Sequence, residues 1–199
     1  VSRSIMRRED KFNSKMGSLF SEAYDDESTP LKDALSSPGK RYSNFSHYSE
    51  GGLKSISLCY DKRSARQVAM ATLKEEGDQH KTEAFIKEAR LNAALQHPNI
   101  VPVYDVGLHL GKPWFTMKFI AGKTLGEVIE ELRQGKTNDF SELSARLDLF
   151  LKVCDAIAYA HSRGILHLDI KPDNIRISEY GDVVILDWGL ADIIASECD

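Results

Sequence analysis

The chain has 199 residues, 42% of them hydrophobic and 28% charged, with a net charge of -4. That length suffices for one sizeable core or two small lobes, and the mild acidity argues against a general binder of DNA or of acidic membranes. No apolar run approaches the roughly 18–20 residues of a membrane span, and the basic, polar start VSRSIMRRED lacks the apolar stretch of a secretory leader. A cytoplasmic protein with neither nucleic-acid nor membrane partners is expected. Cys59, Cys154 and Cys198 are widely separated and show no CxxC spacing, so neither a disulfide framework nor a zinc site is indicated. Cys154 falls in a helical pattern and is expected in the core.

Residues 1–40 are rich in Ser, Asp, Lys and Arg and end in LSSPGK, the composition of an arm or linker. Phe12, Met16, Leu19, Phe20 and Ala23 fall at helical spacing within it, so it reads either as a tail or as one short amphipathic helix. From Tyr42 the pattern changes to strand, Gly-containing turn, strand, turn, strand. Ile56, Leu58 and Tyr60 alternate in the second strand, and Val68 to Leu73 supplies the third. A helix follows with a stripe of Phe85, Ala89, Leu91 and Leu95, stopped at His97–Asn99. Two further strands, IVPVYDVGL and PWFTMKFI, precede a short helix that ends at Gly135. A long helix then carries Leu147, Phe150, Leu151, Cys154, Ile157 and Ala158 on one face and stops at Gly164. Two short apolar strands around the turn EYGD close the chain.

The last segment is the most informative. His167, Asp169, Lys171 and Asn174 lie in HLDIKPDN, and Asp187 and Gly189 lie in LDWG, with Asp187 13 residues after Asn174. Two acidic groups, an amide and a lysine between apolar strands are suited to holding a magnesium–phosphate ligand and steering a hydroxyl toward it. Mg²⁺ takes few protein oxygens and shares those of the phosphates, and phosphoryl transfer needs positioning and charge neutralisation rather than covalent help.

With these motifs in this order, residues 41–195 resemble the protein kinase family, most closely its bacterial Ser/Thr type. The resemblance implies an α+β, protein-kinase-like fold. An antiparallel N-terminal sheet with one helix (residues 41–119) would be followed by a mainly helical, incomplete C-terminal lobe (residues 120–199). It implies ATP and Mg²⁺ as cofactors and a protein hydroxyl as acceptor, the substrate itself remaining unidentified. Asp169 would be the catalytic base, Lys171 would stabilise the transferring phosphoryl group, and Asn174 and Asp187 would hold the metal. Glu88 matches the helix glutamate that pairs with a strand lysine. Met117 would be the gatekeeper, the backbone of Lys118 and Ile120 would meet adenine, and Ile56 and Ala69 would line its pocket. The loop SEGGLKS, with Gly51 and Gly52, matches the phosphate-covering loop.

Several positions depart from the family pattern. The usual His-Arg-Asp is His167-Leu168-Asp169, which removes the arginine that reads a phosphorylated activation loop. Trp188 replaces the usual Phe. Aligned on G-x-G-x-x-G, the loop keeps only Gly51, with Ser49 first and Lys54 third. Ala71 stands at the lysine position of the third strand. Strand parity discriminates between the nearby lysines. Ala69 and Ala71 share the cleft side, so Lys74 is expected to point away, whereas Lys54 has the parity of Ile56 and is expected to face the cleft. This resembles the with-no-lysine kinases, in which the third loop glycine is a lysine and the strand lysine is lost. Lys54 would then replace it, since a four-carbon stem spans neighbouring strands about 5 Å apart. The alternative is a pseudokinase acting as a nucleotide-binding or scaffold module.

The chain ends at Asp199, 12 residues after Asp187, before the family's Ala-Pro-Glu motif and the helices beyond it. A fragment of a longer protein is expected, with the face around Leu147–Ile157 left exposed. Such a face invites self-association or a missing C-terminal lobe supplied in trans.

Overall fold

The computed structural model describes residues 41–74, 78–109 and 111–193. The proposed arm, with its Phe12–Ala23 stripe, lies outside the described residues. Among those described, ten strands and three α-helices follow in chain order: β1 Tyr42–Glu50, β2 Lys54–Asp61, β3 Arg66–Leu73, α1 Gln79–Ala94, β4 Val103–His109, β5 Lys112–Lys118, β6 Gly122–Thr124, α2 Leu125–Arg133, α3 Leu143–Ser162, β7 Ile165–Leu166, β8 Ile175–Ser178, β9 Val183–Ile185 and β10 Asp192–Ile193. A five-stranded sheet has the order β1-β2-β3-β5-β4, with β5 antiparallel to both β3 and β4. Smaller sheets join β6-β8-β9 and β10-β7. Among the described residues, no helix is long and apolar enough to cross a membrane.

Two compact units are distinguished: described residues 41–45 with 59–67, and residues 46–58 with 68–193. The small unit turns on Asp61. Both its oxygens take hydrogen bonds from Arg41, Nε to Oδ1 and Nη2 to Oδ2, each at 2.9 Å. Arg63 N adds a third at 3.0 Å and Ser64 Oγ a fourth at 2.8 Å. Burial by itself raises the Asp61 carboxyl, but these donors outweigh it and hold the group down at about 2.

In the larger unit, β3 is the middle strand of the sheet, and Val68, Ala69, Met70 and Ala71 are all buried. Burial on both faces favours short apolar side chains over polar alternation. Asp78 caps α1, its Oδ1 accepting from Lys81 N at 3.2 Å. Helix α1 packs Phe85 and Ala89 against Ala71, Leu73 and Phe115, with the Phe85 and Phe115 rings 5.0 Å apart. Burying one such ring contributes about 1.5–3 kcal/mol. Helix α2 opens with a capping box, Thr124 Oγ1 accepting from Glu127 N while Glu127 Oε2 accepts from Thr124 N. A second core gathers Leu91 of α1 and Leu95 just after it, Leu149, Val153, Ala156 and Ala160 of α3, and Ile175, Ile177, Val183, Ile185 and Trp188.

Helix α3 corrects one expectation. Its buried stripe is Leu149, Val153, Ala156 and Ala160, so Cys154 is exposed rather than in the core. One residue along a helix is a turn of about 100°, which carries Cys154 off the stripe of Val153. Leu147, Phe150 and Leu151, on the face opposite that stripe's neighbours, are exposed. The short strands β6, β7 and β10 have no counterpart in the sequence pattern.

Candidate active site

The loop between β1 and β2 is a tight turn closed by Gly51 N donating to Lys54 O at 2.9 Å. It is anchored on one side by Lys74, whose backbone N–H donates to Leu53 O (3.2 Å) and whose ammonium pairs with Glu50 Oε1 (2.7 Å). Gly51 and Gly52 are exposed, and a Cβ added to Gly52 would meet no atom within 4 Å. The fold itself therefore does not demand a glycine at 52.

Lys54 opens β2, and its ammonium donates to Oε1 of Glu88 on α1 and to Oδ1 of Asp187 at 2.8 Å. Lys54 is 16% exposed, Glu88 4% and Asp187 41%, so the cluster runs from a buried end to an open one. Two carboxylates face one ammonium. Burial works against the charged Lys54, but Glu88 and then Asp187 outweigh it and hold the ammonium above its ordinary value. Glu88 is raised by its burial and by the like charge of Asp187, with Lys54 opposing. Ala71 packs with Ile56 and Met117 around the Phe85–Phe115 contact. Gly189 lets the chain pass close to this cluster: a Cβ there would lie 3.2 Å from Asp187 Oδ1 and 3.3 Å from Glu88 Oε2.

The second constellation lies between β7 and β8. Asp169 Oδ2 accepts from Lys171 Nζ at 2.7 Å and from Asn174 Nδ2 at 3.0 Å, and Asn174 Nδ2 also reaches Asp169 O at 2.9 Å. The Lys171 hydrogen bond is the main reason Asp169 lies below the usual carboxylate range, so it is ionised at neutral pH. With its amide nitrogen committed to Asp169, Asn174 has its side-chain oxygen left for a ligand. His167 is 2% exposed. Its Nδ1 accepts from Asp169 N (3.2 Å), so Nε2 carries the proton and donates to Leu186 O (3.1 Å). Burial lowers its pKa and keeps the ring neutral. Its ring lies 4.5 Å from that of Trp188, and Leu186 N donates to Asn174 O at 2.8 Å. These ties lock the Asp169 loop to the approach of Asp187. Both Leu168 (φ 62) and Asp187 (φ 59) take the left-handed conformation, which side chains adopt at a cost of about 1–3 kcal/mol and which gathers at functional sites.

The remaining predicted positions lie where β3, β5 and β9 converge. Ala69 pairs with Met117 across β3 and β5. Met117 packs against the cluster of Val101, Ile120 and Val184. Lys118 N donates to Pro102 O at 3.0 Å. Ile56 and Met117 are partly buried, and Ala69 and Ile120 are buried. Among the described residues, no group of three or more His, Cys, Asp or Glu could hold a metal by itself. Sequence reasoning missed Tyr48 and Arg176, which meet beside Phe119. An arginine between the two buried isoleucines of IRIS was the available signal.

A family model described as the protein kinase domain matches residues 42–198. Serine/threonine-protein kinase PknD of Protochlamydia amoebophila (strain UWE25) is 38% identical over 153 residues, covering 73% of this chain and 16% of the relative. The proteins of the same name from Chlamydia caviae and Chlamydia pneumoniae are each 35% identical, over 159 and 167 residues, covering 76% and 80% of this chain and 17% and 18% of the relatives. The chain thus spans about one sixth of the length of these curated relatives. It belongs to the protein kinase family, in its bacterial serine/threonine branch.

Proposed function

We propose that this domain transfers the γ-phosphoryl group of ATP to a protein hydroxyl, with Lys54 supplying the positive charge that the third strand lacks at Ala71. The observation that carries the reading is the Lys54 ammonium between Glu88 and Asp187. A cation held there by a helix carboxylate stands ready to neutralise phosphate charge. Asp169, ionised and tethered to Lys171, accepts the proton of the incoming hydroxyl. Lys171 stays beside it to balance charge on the transferring group. Gly51 and Gly52 cover the phosphates, Ile56, Ala69 and Met117 line the base pocket, and the backbone of Lys118 and Ile120 meets the base edge. In this reading the lobes divide near residue 119.

The donor set fits a magnesium ion that arrives with the nucleotide. A hard cation of this kind uses one or two protein oxygens and takes the rest from phosphate and water. Asn174 Oδ1 and the Asp187 carboxylate are the residues to hold it. When bound, it supplies charge neutralisation at the phosphate oxygens. The free thiols Cys59 and Cys154 suit a reducing, cytoplasmic setting.

A pseudokinase that holds nucleotide weakly or not at all, and acts as a scaffold or regulator, is the second reading, and the observation in its favour is the buried Ala71 with Ser49 in the loop. A thermal-shift titration with ATP and Mg²⁺ separates the two. The expected outcome is a rise in melting temperature in the wild type that disappears in Lys54→Ala and returns in Lys54→Ala/Ala71→Lys. A rise that survives Lys54→Ala would refute the role of Lys54, and no rise at all would favour the scaffold.

A further inference from the structure

Arg176 lies on β8, two residues beyond Asn174. Its Nη2 donates to Gly122 O at 2.9 Å and to the hydroxyl of Tyr48. The guanidinium carbon is 5.3 Å from the centroid of the Tyr48 ring. Tyr48 lies on β1 just before Ser49, and its ring meets that of Phe119 edge-on at 5.5 Å and 81°. Phe119 and Gly122 bracket Ile120, whose backbone belongs to the proposed base site. The strand that enters the glycine loop, the 119–122 segment and β8 are therefore joined at one point. Arg176 Nε–H is buried and has no acceptor among the described residues.

We infer that Tyr48 and Arg176 form a clasp across the outer end of the base slot, which a purine nucleotide parts on entry and which thereby sets nucleotide affinity. The clasp rests on the proposed nucleotide site. Its closed form combines a charge-assisted hydrogen bond with a cation–π contact. That form satisfies Arg176 only in part, since a buried donor without an acceptor is unfavourable. A base offers what the closed form lacks: acceptor atoms for the guanidinium and a flat face on which either side chain stacks. Apparent affinity then falls by the fraction of molecules whose clasp is shut.

The test uses the full chain and the variant Tyr48→Phe, which keeps the ring and its contact with Phe119 and removes only the hydroxyl. Affinities for ATP with Mg²⁺ and for adenosine are measured by calorimetry, and entry of a fluorescent adenosine nucleotide by stopped flow. Tyr48→Phe is expected to bind both ligands about fivefold tighter, with faster entry. Arg176→Lys, which loses the planar fork but keeps the charge, is expected to shift the same way. Adenosine carries no phosphate and so reports on the clasp independently of Lys54. Adenosine binding that is equal or weaker in Tyr48→Phe overturns the clasp, even where ATP binding depends on Lys54. Tighter adenosine binding in Tyr48→Phe, with ATP binding insensitive to Lys54→Ala, upholds the clasp and removes the Lys54 reading. If neither ligand binds any variant, both readings fall.

Discussion

Asp61 and Asp187 are both aspartates in contact with a basic side chain, and they illustrate opposite designs. Asp61 is 1% exposed and takes four hydrogen bonds from three residues, two of them from one guanidinium. Every carboxylate oxygen is satisfied and the charges balance. Asp187 is 41% exposed, shares one ammonium with Glu88 and sits on strained backbone. Its cluster carries an excess negative charge at the open end. A closed, balanced cluster has nothing left to offer a ligand and stabilises the fold. An open, unbalanced one gains little for the fold and retains capacity to bind a cation or a charged ligand.

The sharpest way to break this contrast is to remove one charge from the open cluster. Asp187→Asn is expected to lower the proposed phosphoryl transfer by about 10²–10³-fold. The melting temperature of the nucleotide-free chain should stay level or rise, because the like charge beside Glu88 is gone and Asn tolerates the left-handed backbone. Loss of stability in that variant would mean the open cluster is structural after all. The closed cluster should behave the other way. Asp61→Asn is expected to reduce stability at pH 7 by about 2 kcal/mol, measured by denaturant titration. The sign follows from the depressed folded-state value of about 2: the contribution is complete above roughly pH 4 and fades as the pH falls through 2. The gap between wild type and variant should close over that window. The smallest effect is expected at Gly52→Ala. Its added methyl meets nothing in the fold, so stability should move by less than about 0.5 kcal/mol, while ATP affinity falls by a few-fold because the loop backbone can no longer approach the phosphates.

Much of this architecture is legible in the residues. The alternation of β2, the apolar run of β3 and the stripe of α1 each carry their own period. Parity along β2 and β3 is enough to aim Lys54 at the cleft, because side-chain direction in a strand is fixed by counting. Helix α3 is harder. Leu147, Phe150 and Leu151 are larger than the small Ala156 and Ala160 that actually pack, and hydrophobic size alone cannot say which side has a neighbour. Strands β6, β7 and β10 have two or three residues each, too short for any period. The capping box of α2 is visible as Thr124-Leu125-Gly126-Glu127 and fixes that helix start. Contacts such as Lys74 with Glu50 and Arg176 with Tyr48 join residues 24 and 128 positions apart, and local patterns carry no information about such pairs.

The left-handed backbone at Leu168 and Asp187 has a consequence for behaviour on warming. Energy stored in a turn is released by local opening well below the temperature at which the sheets melt. The bonds from His167 to Asp169 and Leu186 hold both turns shut. Heat should therefore silence the proposed phosphoryl transfer first and unravel the scaffold later, with amide protons of these two turns exchanging into heavy water ahead of those in β8 and β9.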